Sequence, residues 1–177
     1  MRGTIHYCLE ETIIQKYGSE KWAECLTSMG LPASHSFATQ IIDDIDEDLT
    51  MNFIKNVPNV LGCSLQQIFD DFGMYWSTIY APKLYKMFYI GANNTKEMVL
   101  KMTSIHQSVA KVREGATPPM FEFREIAPNK TEVTYFSQRN LFDLYISLVK
   151  GLDAYFKNTT QIEKTSDNSA IMTFSHY

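Results

Sequence analysis

The chain is poor in the features that mark several large protein classes. Its three cysteines, Cys8, Cys25 and Cys63, are odd in number and widely spaced along 177 residues. That pattern argues against a disulfide framework and fits a reducing, cytoplasmic compartment. Cys-x-x-Cys pairs and cysteine-rich zinc spacings are missing. No apolar run approaches bilayer length, and Glu10 and Glu11 interrupt any leader-like stretch near the start. No basic stripe occurs and the net charge is −4, which weighs against a nucleic-acid surface. Internal repeats and low-complexity tracts are absent too. A single domain over residues 1–177 is therefore expected, long enough for a substantial core. What the chain does have is aromatic residues (13%) and nine methionines, compatible with an apolar pocket or with plain core.

Apolar spacing predicts a helix over residues 3–17, with Ile5, Leu9 and Ile13 on one side and Gly18 as its C′ residue. Ser19 can cap a second helix carrying Trp22 and Leu26, ended by Gly30. The carboxylates of residues 43–48 read either as helix-start chemistry or as ligands for a divalent ion. Ser64-Leu-Gln-Gln67 is a capping-box pattern. The helix it opens carries Leu65, Ile68, Phe69, Phe72, Trp76 and Ile79 on one face, and Pro82 forces a break near Ala81. Residues 95–113 form the longest helical pattern, with Val99, Met102, His106 and Val109 in one stripe, and Gly115-Ala-Thr-Pro-Pro119 ends it. Residues 121–126 and 131–137 alternate as two strands around Pro128-Asn-Lys130. Residues 141–156 are helical and apolar over most of the circumference, and a second strand pair covers 161–164 and 170–174. The order gives an α+β fold, helices first and then an antiparallel sheet with a helix inserted.

Two features need a joint explanation. His106 falls inside the apolar stripe of its helix, where a histidine is either a satisfied core residue or a ligand. Tyr135, Ser137 and Arg139 share a strand face if the extended geometry continues through Arg139, and they offer two hydroxyls and a guanidinium fork suited to carboxylates. A ligand that is apolar in the middle, carboxylated at one edge and able to accept an imidazole nitrogen satisfies both. Haem b has that description, and without Cys-x-x-Cys-His its attachment would be non-covalent.

On these residues the sequence resembles the haem-nitric oxide/oxygen-binding (H-NOX) family, which includes the haem domain of soluble guanylate cyclase. The opening Met-Arg-Gly-Thr-Ile, His106, the run ending at Pro119 thirteen residues later, and Tyr135-x-Ser137-x-Arg139 stand in the family's order and spacing. The similarity spans essentially the whole chain and leaves no room for an output domain. It implies an H-NOX fold with the haem pocket between its helical and sheet-bearing parts. His106 becomes the proximal iron ligand, Tyr135, Ser137 and Arg139 the propionate contacts, and Pro119 the residue that bends the porphyrin. Ile5, Leu9, Trp76, Tyr80, Leu144 and Leu148 would line the distal pocket, with His6 pointing away from Ile5 and Leu9. Leu144 stands where oxygen-binding members carry a tyrosine, so nitric oxide sensing is implied, with carbon monoxide also expected to bind. Oxygen binding with Trp76 or Tyr80 as donor is the alternative. A non-enzymatic, cytoplasmic bacterial sensor acting on a separate histidine kinase or diguanylate cyclase follows from the resemblance. The cysteine-zinc variant of the family is disfavoured, and Cys8 and Cys25 read as packing residues.

Overall fold

A computed structural model describes residues 1–111 and 118–177, with Val109 described by its backbone alone. The chain begins with α1 (Gly3–Tyr17) and α2 (Ser19–Ser28). Gly18 joins them at φ +93°, donating its N–H to the Ile14 carbonyl, a conformation that a side chain would strain. A 3₁₀ turn (Phe37–Gln40) leads to α3 (Glu47–Leu61). Asp46 caps α3 by accepting from the N–H groups of Asp48 and Leu49, so the acidic run serves a helix start. Ser64 likewise caps α4 (Leu65–Tyr75) by accepting from Gln67 N–H.

α4 does not simply run on to the proline. Trp76–Tyr80 forms a π-helical turn before α5 (Ala81–Leu84), and the Ala81 N–H bonds the Trp76 carbonyl. Pro82 thus falls in the first turn of α5, where its missing N–H costs little. The widened turn also shifts the apolar face, and Ile79, expected inside, is 36% exposed. α6 (Lys86–Ile90) follows. The expected single helix over 95–113 is two: α7 (Thr95–Leu100) and α8 (Met102–Ala110). The break is at Lys101, whose ψ of −7° leaves the helical value. Residues 112–117, including Gly115, Ala116 and Thr117 of the Gly/Pro run, lie outside the described residues.

β1 (Met120–Ala127) and β2 (Lys130–Phe136) pair antiparallel around a tight turn. α9 (Phe142–Phe156) intervenes before β3 (Thr160–Ser166) and β4 (Ser169–Phe174). The sheet order is β1-β2-β4-β3, all antiparallel. One core lies between α9 and the sheet, built on Phe142, Tyr145, Val149 and Leu152 against Phe121, Val133, Ala170 and Met172. A second lies among α1, α2 and α3 around Trp22, Leu26, Phe37 and Phe53.

The bridge between the two parts is the crossing of α4 with α9. A Cβ on Gly73 would fall against the Ser147 carbonyl, and one on Gly151 against the Gly73 carbonyl. The two backbones therefore touch. Polar contacts fix the register of that crossing. Ser77 donates to the Leu148 carbonyl (3.0 Å), and Asp70 accepts from Ser147 (2.6 Å) and Lys150 (3.0 Å). Ser147 and Leu148 are thereby held on the α4 side, which turns Tyr145 and Val149 to the sheet and Leu144 toward α1.

Candidate functional site

His106 is on α8 beside β1, with its ring 5.7 Å from that of Phe121. Its Nδ1 lies 2.8 Å from the Met102 carbonyl, one turn earlier. A carbonyl only accepts, so the proton is on Nδ1 and the lone pair is on Nε2. Nε2 makes no hydrogen bond among the described residues. Burial holds the imidazole pKa below its ordinary value, partly offset by the Met102 bond, and the neutral ring is the form that binds metal. An Nδ1–H given to a carbonyl with a bare Nε2 is the arrangement metal-ligating histidines use.

The extended geometry does not continue through Arg139. β2 ends at Phe136, and Ser137 Oγ accepts the Arg139 N–H at 3.2 Å in a turn completed by Asn140 at φ +50°. A hydroxyl two residues ahead competes for the backbone N–H and ends the strand. Strand alternation therefore does not align Tyr135, Ser137 and Arg139. The turn instead swings Arg139 toward α3, where Nε donates to Glu47 Oε1 (2.5 Å) and Nη2 to Oε2 (2.9 Å). The fork already grips a carboxylate in the bidentate manner. The same Glu47 carboxylate accepts from the N-terminal ammonium at 3.3 Å, and Arg139 first among these contacts pulls its pKa down. Tyr135 is buried on the sheet, its ring 5.4 Å from Phe121 and 5.8 Å from Phe142. Pro119 is half-buried immediately ahead of β1.

Ile5, Leu9 and Leu144 share one apolar cavity of about 60 Å³ between α1, α3, α4 and α9. That volume holds a diatomic molecule or a water or two, not a macrocycle. Trp76, Tyr80 and Leu148 are not on its walls. Trp76 stacks between Phe72 (5.7 Å) and Tyr80 (5.5 Å), and the Tyr80 hydroxyl is 3.1 Å from that of Thr4 on another side of α1. Contrary to expectation, His6 lies on the cavity wall with Ile5 and Leu9. Its ring is anchored there by Thr50 Oγ1 at Nε2 (3.0 Å) and by the Arg2 carbonyl at Nδ1 (3.3 Å). Helical spacing from residue 5 to residue 6 gives only a 100° turn, and packing by α3 from the far side closes the rest.

Cys8 and Cys25 are fully buried and their thiols are pushed up by desolvation, Cys25 to about 11. Both are therefore inert packing residues. Sequence reasoning missed Glu47, His6 and Thr50. Glu47 stands 92 residues from Arg139, and only its membership of an acidic run marked it.

The residues present fit haem on two counts: an imidazole held neutral by burial with a bare Nε2, and a guanidinium that takes a carboxylate bidentately. The donor set suits a metal and a carboxylate, and the apolar cavity between α1, α3, α4 and α9 suits a small gas. Among known families, the sequence model of haem-NO-binding domains matches residues 2–164, and the chain belongs to that family of haem-binding gas-sensor domains. Solved H-NOX structures share the fold. An H-NOX domain of T. tengcongensis superposes at a TM-score of 0.87 with 22% identity, over 99% of this chain and 98% of that one. A Cs H-NOX variant gives 0.87 at 21% identity, over 99% and 97%. An oxygen-binding H-NOX domain related to soluble guanylate cyclases gives 0.83 at 22% identity, over 99% and 96%. No helix among the described residues is long and apolar enough to cross a membrane.

Proposed function

We propose that the chain is a haem-based nitric oxide sensor that acts on a separate signalling protein. The observation that carries this reading is the bare Nε2 of His106, held in tautomer and ring plane by the Met102 carbonyl. His106 would hold the iron of a non-covalent haem b, and Tyr135, Ser137 and Arg139 would take its propionates. Pro119 would press on the macrocycle. Ile5, Leu9 and Leu144 would surround the gas, with Trp76, Tyr80 and Leu148 outside that cavity's walls.

When bound, haem would supply the iron chemistry that takes a diatomic gas, and nitric oxide would be sensed through His106, the residue that would hold that iron. The chain's own contribution is the coupling. His106 sits on a nine-residue helix set off from α7 at Lys101, so a change in what holds its ring would move a short lever rather than a long one. Arg139 and Glu47 join the sheet-bearing part to α3, so a shift at the propionate edge is felt in the helical part. Donor chemistry favours nitric oxide over oxygen. Leu144 on the cavity wall has no hydrogen to give, and Trp76 and Tyr80, the donors an oxygen-binding pocket would use, are not on that wall, the Tyr80 hydroxyl lying beside that of Thr4.

Carbon monoxide would bind as well, and the partner is a histidine kinase or a diguanylate cyclase of the bacterial cytoplasm. The test is the visible spectrum of the reduced protein under argon, air and nitric oxide in turn. Spectral change with nitric oxide and none with air is the expected outcome. A stable complex in air would install the oxygen-binding reading instead.

A further inference from the structure

Residues 72–96 carry no carboxylate, in a chain that has 20 of them and a net charge of −4. The middle of that stretch is α5 and α6, joined at Tyr85. Its side chains divide by type. Tyr85, Phe88 and Tyr89 pack on the core between α9 and the sheet, Tyr89 stacking on Phe156 with ring centroids 6.3 Å apart. Leu84, Met87 and Ile90, spaced by three, turn outward and are 48%, 77% and 66% exposed. Lys101 donates to the Gly91 carbonyl, which brings the end of α7 and its exposed Leu100 beside them. Lys83 and Lys86 are exposed and make no hydrogen bond or ion pair among the described residues. Glu97, the first carboxylate after the stretch, is taken up by the main-chain N–H and the amide of Asn93.

Single apolar residues on a surface are ordinary, but a contiguous set marks a binding face. Surfaces that proteins use for one another are rich in aromatic anchors and arginine and poor in lysine. Here the aromatic rings face the core, and the exposed set is aliphatic with lysines beside it. That composition suits a bilayer. Aliphatic tips enter the boundary between headgroups and acyl chains without a spanning helix, and lysine lays its methylenes on them while its ammonium stays among the headgroups. The missing carboxylates spare this one face the repulsion that an acidic chain meets at an anionic surface.

We propose that the α5–α6 face is a docking site for an anionic lipid surface, with Leu84, Met87 and Ile90 entering the acyl boundary and Lys83 and Lys86 meeting the headgroup phosphates. Such docking needs no haem.

The experiment is co-sedimentation of the full chain with vesicles of phosphatidylcholine alone, and of phosphatidylcholine with about a quarter phosphatidylglycerol. Binding to the mixed vesicles is expected, at least about tenfold weaker on phosphatidylcholine alone and weakened by about 0.5 M salt. Each lysine is worth about fivefold in affinity and each aliphatic tip about tenfold, so Lys83→Gln/Lys86→Gln should lose about 25-fold and Met87→Gln/Ile90→Gln about 100-fold. Met51→Gln/Lys55→Gln, a like change on exposed positions of α3, should alter binding less than about twofold. No binding to the mixed vesicles would overturn the proposal and leave the face to a protein partner. Equal binding to both kinds of vesicle, or equal losses in the α3 pair, would overturn it as well.

Discussion

Acidification should unfold this protein through His6. The residue is 2% exposed, and burial lowers its pKa from 6.5 to about 4. Between those values the unfolded chain carries the extra proton and the folded chain does not, so stability falls as pH falls. The full effect is about 3 kcal/mol, of which about 2 kcal/mol is already lost at pH 5. Glu47 works in the same direction, since its lowered pKa stabilises above the carboxylate range and is lost on protonation. His6→Gln separates the two, because glutamine keeps a polar contact to Thr50 and cannot titrate. Urea unfolding of both proteins from pH 7.5 to 4 reads the difference. The wild-type curve should drop toward the variant's by about 3 kcal/mol over that range. Parallel curves would refute the assignment of a neutral, desolvated imidazole at the cavity wall.

Three more outcomes follow from the packing. Gly151→Ala should cost about 3 kcal/mol in urea unfolding, because the new methyl meets the Gly73 carbonyl and stands 2.8 Å from Ser77 Cβ. Glu10 accepts from Ser36 Oγ at 2.6 Å and from the Phe37 N–H at 2.7 Å. Glu10→Ala should therefore cost about 2 kcal/mol by orphaning a buried donor, seen as a lowered thermal midpoint. Lys157 ends α9 in the left-handed region at φ +56°, so Lys157→Gly should stabilise by about 1 kcal/mol in the same assay.

Local chemistry made much of the architecture legible. Gly18 and Ser64 announce a helix end and a helix start by what their own atoms can do, and both do so in the structure. Strand alternation likewise placed β1 and β2 within a residue or so of their ends. The misses arise where distant parts decide. No local pattern states that Trp76–Tyr80 widens into a π turn where α4 and its continuation pack on α9. A shared face for Tyr135, Ser137 and Arg139 required extended geometry to continue past the strand through Arg139, yet the Ser137 hydroxyl takes the Arg139 N–H and ends it. The candidate site shows the same division. His106 and the residues of the Tyr-x-Ser-x-Arg motif are visible by type and spacing. The partner of Arg139 and the cavity position of His6 depend on α3 packing from far along the chain.

The most direct measurement is of iron ligation in the reduced protein when His106 is replaced by glycine, with and without imidazole in solution. If His106 is the ligand, the variant's spectrum departs from wild type, and added imidazole restores it while nitric oxide no longer changes the chain's shape or its action on a partner. A His106→Gly protein that keeps the wild-type spectrum with no added base would contradict the account.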